Sequence, residues 1–375
     1  MIRILLPLLL TLVSIRAAAA ETAAPTIAPP TVAPPAAVLA EVTQGLGQAS
    51  DIAWAPADYS HMYIAERGGR VRVVKDGLLD DHDLLDIHDL VSTSASTGLE
   101  SIAFPASFSS SRTFFIAYSD KNGDSLLASV KALDEETAEA EQITVLLKVI
   151  QPTPQHPPVR IRFGTDGYLY VAFADRRNTN PQNKSRQNSV LISQQNSLLG
   201  TVARLDVSDT KRYRIPSDSL PRQLRATTPE VWARAIGAPW AFFADPTKSR
   251  LLLGASPTAT SLEITALEEG AQPSPGKALF TSTAGASESF VGGIVYRGAA
   301  LAGLRGSIIL AEKSTGTIFS ASQNNATQTV SSPLAHAAAP IAAIGESAAG
   351  ELYVATDGGD LLQVVLNSAS TKPSY

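Results

Sequence analysis

Cysteine is absent from all 375 residues, which removes disulfides, thiolate metal ligands and cysteine nucleophiles together. Aromatic residues make up only 6% of the chain, so any core must be built mainly from aliphatic side chains. Histidine numbers five, so imidazole chemistry has few candidate positions. Positive charge is not in excess either. The formal net charge is -5 and the basic residues are scattered, so no electrostatic footprint for nucleic acid or an anionic membrane is present. There is no G-x-S-x-G elbow, no zincin helix motif and no phosphate loop, which leaves hydrolase and nucleotide readings without a motif.

Long hydrophobic runs are lacking except at the start. Arg3 precedes an apolar stretch from Ile4 to Ile15, and Ala17 to Ala20 lead to Glu21, the layout of a cleavable secretory signal over residues 1–20. The run is short for a bilayer and no second one follows, so no membrane span is expected and the location reads as periplasmic or secreted. Residues 21–37 are mostly Ala, Pro and Thr, a composition that favours a disordered, extended leader. The folded domain is expected over 38–366, with a disordered tail at 367–375.

Within that domain one pattern recurs six times: a short apolar strand, a turn with Pro, Asp or Gly, and a second apolar strand. Asp51 opens the first copy with IAWAP and MYIAERGGRVRVVKDG, and Leu99 opens the second with LESIAFPASF and TFFIAYS. VRIRFGTDGYLYVAFADRR begins the third, and WAFFADPTKSRLLLGASP the fourth. GGIVYRG with GSIILAEKSTGTIFSAS is the fifth, and IAAIGESAAGELYVATDGGDLLQVV the sixth. Each copy reads as a small antiparallel sheet that cannot bury both faces alone. The spacing predicts an all-β fold, a six-bladed β-propeller of four-stranded antiparallel blades. AVLAEV, near Val38, is the candidate strand that completes the last blade and closes the ring. The polar stretch Arg176 to Ser197 lacks periodicity and reads as a loop, either functional or a flexible insertion.

DIAWAP with MYIAERGGRVRVVKDG, GLESIAFPASF, HPPVRIRFGTDGYLYVAFADRRN, NSLLGTVARLDV and VWARAIGAP together resemble the glucose/sorbosone dehydrogenase family. The resemblance covers most of the chain and implies a propeller that oxidises aldoses with pyrroloquinoline quinone (PQQ) held by calcium. It implies His156 as catalytic base, since an imidazole can accept the proton of a sugar C1 hydroxyl. It further implies cofactor contacts from Arg176, Arg177 and Lys313, and calcium contacts from Ser256, Pro257 and Glu263.

The same segments depart from the family pattern. Gln155 precedes His156, and Pro157, Pro158 and Val159 follow it where the family has glycines. Gly237, Ala238 and Pro239 replace an Arg-Asn-Pro turn whose guanidinium pairs with cofactor oxygens, with Arg234 three residues upstream. Only Glu263 remains of an acidic pair, and the apolar run Ala337 to Ala343 stands where arginines are expected.

Two functions are therefore carried forward: a PQQ- and calcium-dependent aldose dehydrogenase, and a non-catalytic propeller that binds a sugar, glycan, peptide or partner protein. The stretch Asp80 to Asp89 sets His82 and His88 among five aspartates. It reads as a solvated acidic loop rather than a divalent-metal site.

Overall fold

The computed structural model describes residues 37–92, 97–152, 159–173, 197–219, 228–234, 241–258, 261–267, 279–282, 290–321 and 333–367. They form six four-stranded antiparallel sheets arranged as a six-bladed propeller. β1 (Ala37–Thr43) comes first in the chain but belongs to the last blade. Blade 1 is β2 (Ala49–Trp54), β3 (His61–Glu66), β4 (Arg70–Lys75) and β5 (Leu78–Asp86). Blade 2 is β6 (Leu99–Ala103), β7 (Thr113–Ser119), β8 (Ser125–Ala132) and β9 (Ala138–Val149), with a short helix α1 (Phe108–Ser111) before β7. Blade 3 is β10 (Arg160–Phe163), β11 (Leu169–Phe173), β12 (Thr201–Leu205) and β13 (Val231–Arg234). Blade 4 is β14 (Ala241–Asp245), β15 (Arg250–Thr258), β16 (Ser261–Leu267) and β17 (Phe280–Ser282). Blade 5 is β18 (Phe290–Val295), β19 (Ile308–Glu312), β20 (Thr317–Ala321) and β21 (Pro333–His336). Blade 6 is β22 (Ile341–Glu346), β23 (Leu352–Thr356) and β24 (Leu361–Leu366), completed by β1.

The expected closing strand is present. β1 pairs antiparallel with β24, from Ala37 opposite Leu366 to Thr43 opposite Leu361, so the two ends of the domain lie in one sheet.

Strand side chains alternate faces, and the central strands bury both. In β7, Phe114, Ile116 and Tyr118 pack toward blade 1 with Tyr63, Val71 and Leu85, whereas Phe115 and Ala117 pack toward blade 3 with Ile161 and Val171. Corresponding apolar clusters join blades 3 and 4, 4 and 5, 5 and 6, and 6 and 1. The core is thus a ring of inter-blade layers. A fully buried Leu, Ile or Phe in such a layer contributes roughly 1.5–3 kcal/mol.

The segment read as an acidic loop is instead largely the outer strand β5 of blade 1. Leu84 and Leu85 are fully buried, while His82 and Asp81 face solvent. An outermost strand has one wet face and a free edge, so charge there protects against edge-to-edge pairing and gives the strand a loop-like composition. Among the described residues, no group of three or more His, Asp or Glu side chains could hold a metal ion.

Candidate functional site at the upper end of the ring

The strands nearest the axis, β2, β6, β10, β14, β18 and β22, begin at what we call the upper end of the propeller. Each blade is an antiparallel meander, so the connections between blades and the middle hairpin of each blade share that end. The connection from β9 to β10 carries the position of His156, and that from β11 to β12 carries Arg176 and Arg177. These three positions lie outside the described residues. Ser256 and Pro257 fall in β15, within a register shift between Ala255 and Thr258, and Glu263 in β16 is paired with Ala255. Lys313 follows β19. The sequence-derived candidates therefore map, by chain order, to one end of the ring.

The flanks of the 153–158 segment are held firmly. On the β9 side, the Gln151 backbone N–H donates to Asp124 Oδ1 (3.1 Å) and its side chain donates to Ser125 Oγ (2.7 Å). On the β10 side, Val159 N–H donates to Glu100 Oε2 (2.5 Å), whose other oxygen accepts Ser119 Oγ–H (2.5 Å). Glu100 is completely buried. Gly98 permits this close arrangement: at φ +141° it sits where a Cβ would lie 2.0 Å from the Arg67 carbonyl oxygen.

Below this layer the axis is plugged by a polar cluster from three blades. Arg162 on β10 donates from both terminal nitrogens to Asp51 on β2, at 2.8 Å each. Ser101 Oγ on β6 donates to Asp51 Oδ2 (2.6 Å), as does Ile102 N–H (3.1 Å). Arg160 donates to the carbonyls of Ser50 and Glu100, both at 2.8 Å. Burial would raise the Asp51 carboxyl, but the charge and hydrogen bonds of Arg162, the charge of Arg160 and the Ser101 bond hold it below its ordinary value. The free volume beside Asp51, Arg162, Phe242 and Gly293 is about 10 Å³, close to the room one water needs. At the lower end of the channel Glu346 is paired with Arg297 at 3.1 Å.

Composition hid these residues because they sit inside apolar strands. The available signal was charge within a buried run: Asp51 in ASDIAW, Glu100 in LESIA, Arg160 and Arg162 in RIRF.

PQQ is a flat tricarboxylate, so a site for it needs surplus positive charge. The described cations at the upper end already have interaction partners. Burial lowers the Arg67 guanidinium pKa, and the neighbouring Glu100 and Asp357 oppose that shift. Lys313, 41% exposed, has its ammonium 3.8 Å from Asp357. Arg234, the cation upstream of Gly237, donates to Thr228 Oγ1 (2.7 Å) on the approach to the outermost strand of blade 3. The described residues do not fit a bound tricarboxylate, because each cation described here faces a carboxylate or is otherwise engaged.

Comparison with known proteins agrees with the fold. The soluble aldose sugar dehydrogenase of Escherichia coli superposes with a TM-score of 0.69 at 18% identity, covering 88% of this chain and 99% of that one. The PQQ-bound aldose sugar dehydrogenase of Streptomyces coelicolor gives 0.67 at 16% identity, covering 89% and 99%. Mouse hedgehog-interacting protein is 24% identical over 362 residues, covering 86% of this chain and 50% of its own length. The chain thus spans about half the length of the curated relatives it matches. The sequence pattern of the glucose/sorbosone dehydrogenase family matches residues 46–253, more than half of the chain, and this protein belongs to that family.

Proposed function

We propose that this chain is an exported, ligand-binding member of the family that does not turn over quinone. The observation that carries the reading is that the upper-end cations Arg67 and Lys313 already lie beside Glu100 and Asp357. A tricarboxylate arriving there displaces existing partners and brings added negative charge beside two carboxylates. The likeness to hedgehog-interacting protein over 86% of the chain supports a binding role, since that relative is named for a partner. The ligands proposed are a sugar or glycan, or a partner protein.

A second reading retains aldose oxidation, favoured by the hydrogen bonds that hold Gln151 and Val159, the described residues on either side of the His156 position in the chain. In it His156 accepts the sugar C1 proton, Arg176, Arg177 and Lys313 face the cofactor, and Ser256, Pro257 and Glu263 serve calcium. The two separate in a dye-reduction assay of the protein incubated with PQQ and calcium, across a panel of aldoses. The expected result is no aldose-dependent reduction above the protein-free control. Turnover that is lost in His156→Ala would overturn the binding reading and establish the second.

A further inference from the structure

A cavity among the described residues lies at the lower end of the propeller, opposite the segments that carry the candidate catalytic positions. It is a groove of about 670 Å³ between blades 2 and 3, within the size range of small-molecule sites. Its walls are the β6–β7 connection, the β10–β11 hairpin and the chain just after β12.

The groove is built from two kinds of surface. The aromatic part includes Phe115 and Phe163, which meet edge to face at 5.7 Å, and Tyr168 on the hairpin. Phe163 and Tyr168 are only half-buried. The polar part is rich in hydroxyls, from Ser107, Ser111, Thr165, Ser208 and Thr210, together with the carboxylates of Asp166 and Asp206. No Lys, Arg or His is among the described lining residues.

One wall is held rigid from behind. The Arg204 guanidinium lies 4.3 Å from the centroid of the Tyr168 ring. It also donates to Asp166 Oδ2 (3.1 Å) and, in fork geometry, to both oxygens of Asp218 (3.0 and 3.2 Å). Tyr170 O–H donates to the same Asp166 oxygen (2.7 Å), and the Tyr168 backbone N–H to the other (3.2 Å). Asp166 and Tyr168 are thus fixed before any ligand arrives, which reduces the ordering cost of binding.

We infer that this groove binds a neutral carbohydrate, a pyranose unit of a glycan. Aromatic faces suit the C–H face of a sugar ring, while carboxylates and hydroxyls match its hydroxyl groups. The absence of a lining cation disfavours phosphorylated or acidic sugars. The groove and the upper end are separate, so the inference stands under either reading of the upper end.

The test is saturation-transfer NMR and calorimetry on the full chain, with cellotriose, maltotriose and chitotriose as probes, a galacturonic acid trimer as the acidic comparator and glucosamine as the amine. Thr165→Trp and Ser208→Trp fill the groove from two different walls at exposed positions, and their melting temperatures check folding. The expected result is binding of at least one neutral trisaccharide, weakened by about tenfold or more in both variants. The inference is overturned if no neutral saccharide binds, if only the acidic or amine probe binds, or if binding survives in a folded blocking variant.

Discussion

Replacing Asp51 with alanine is expected to lower stability by about 3–5 kcal/mol, because it leaves the partly buried Arg162 guanidinium without its carboxylate. Asp51 is only 2% exposed and accepts from Arg162, Ser101 and Ile102, so one deletion unties β2, β6 and β10 at the axis. Denaturant unfolding measures the loss. The double variant Asp51→Leu with Arg162→Met removes both charges and should recover a large part of it, since the penalty comes from a charge left alone. The pH dependence has a definite sign. The folded-state pKa of Asp51 is depressed, so its contribution is fully present above the unfolded value of about 3.9. It is lost as the pH falls through the still lower folded value. Wild-type protein should therefore lose this increment only below about pH 4, and Asp51→Ala should show a flatter acid limb. Equal stability of wild type and Asp51→Ala at neutral pH would remove the cluster from the account.

Deleting residues 37–43 is the second large effect. β1 supplies the fourth strand of blade 6, with its register against β24 running from Ala37–Leu366 to Thr43–Leu361. Ala37 and Leu39 also pack against the cluster that joins blades 5 and 6. The truncated chain loses these ladder bonds, each contributing about 1 kcal/mol net, together with partial apolar burial, a sum on the order of 5 kcal/mol. It also exposes β24 as an open edge. The expected readouts are a lower unfolding midpoint and concentration-dependent association in light scattering. Wild-type stability in the truncated chain would mean that ring closure does not depend on β1.

The blades were legible because each buries both faces of its inner strands and so writes a nearly continuous apolar phrase, as in MYIAE or TFFIAYS. The outer strands were harder to read. In β5 the sequence LLDDHDLLD mixes buried Leu84 and Leu85 with exposed Asp81 and His82, and the solvent-facing half dominates its composition. Chain order alone assigns the candidate positions His156, Arg176, Arg177 and Lys313 to connections at the upper end. The Asp51–Arg162 pair was not, because its partners are 111 residues apart and only the closed ring brings their strands side by side. The lower groove was hidden for the same reason. FGTDGY in the β10–β11 hairpin reads as an ordinary turn until the β6–β7 connection and the chain after β12 enclose it.

Whether the engaged upper-end cations Arg67 and Lys313 leave room for the quinone is tested most directly by calorimetric titration of the purified chain with PQQ, with and without calcium. No saturable binding is expected up to high-micromolar quinone in either condition. Saturable, calcium-dependent binding that is weakened in Lys313→Ala would contradict that expectation, and would place the cofactor where Lys313 now faces Asp357.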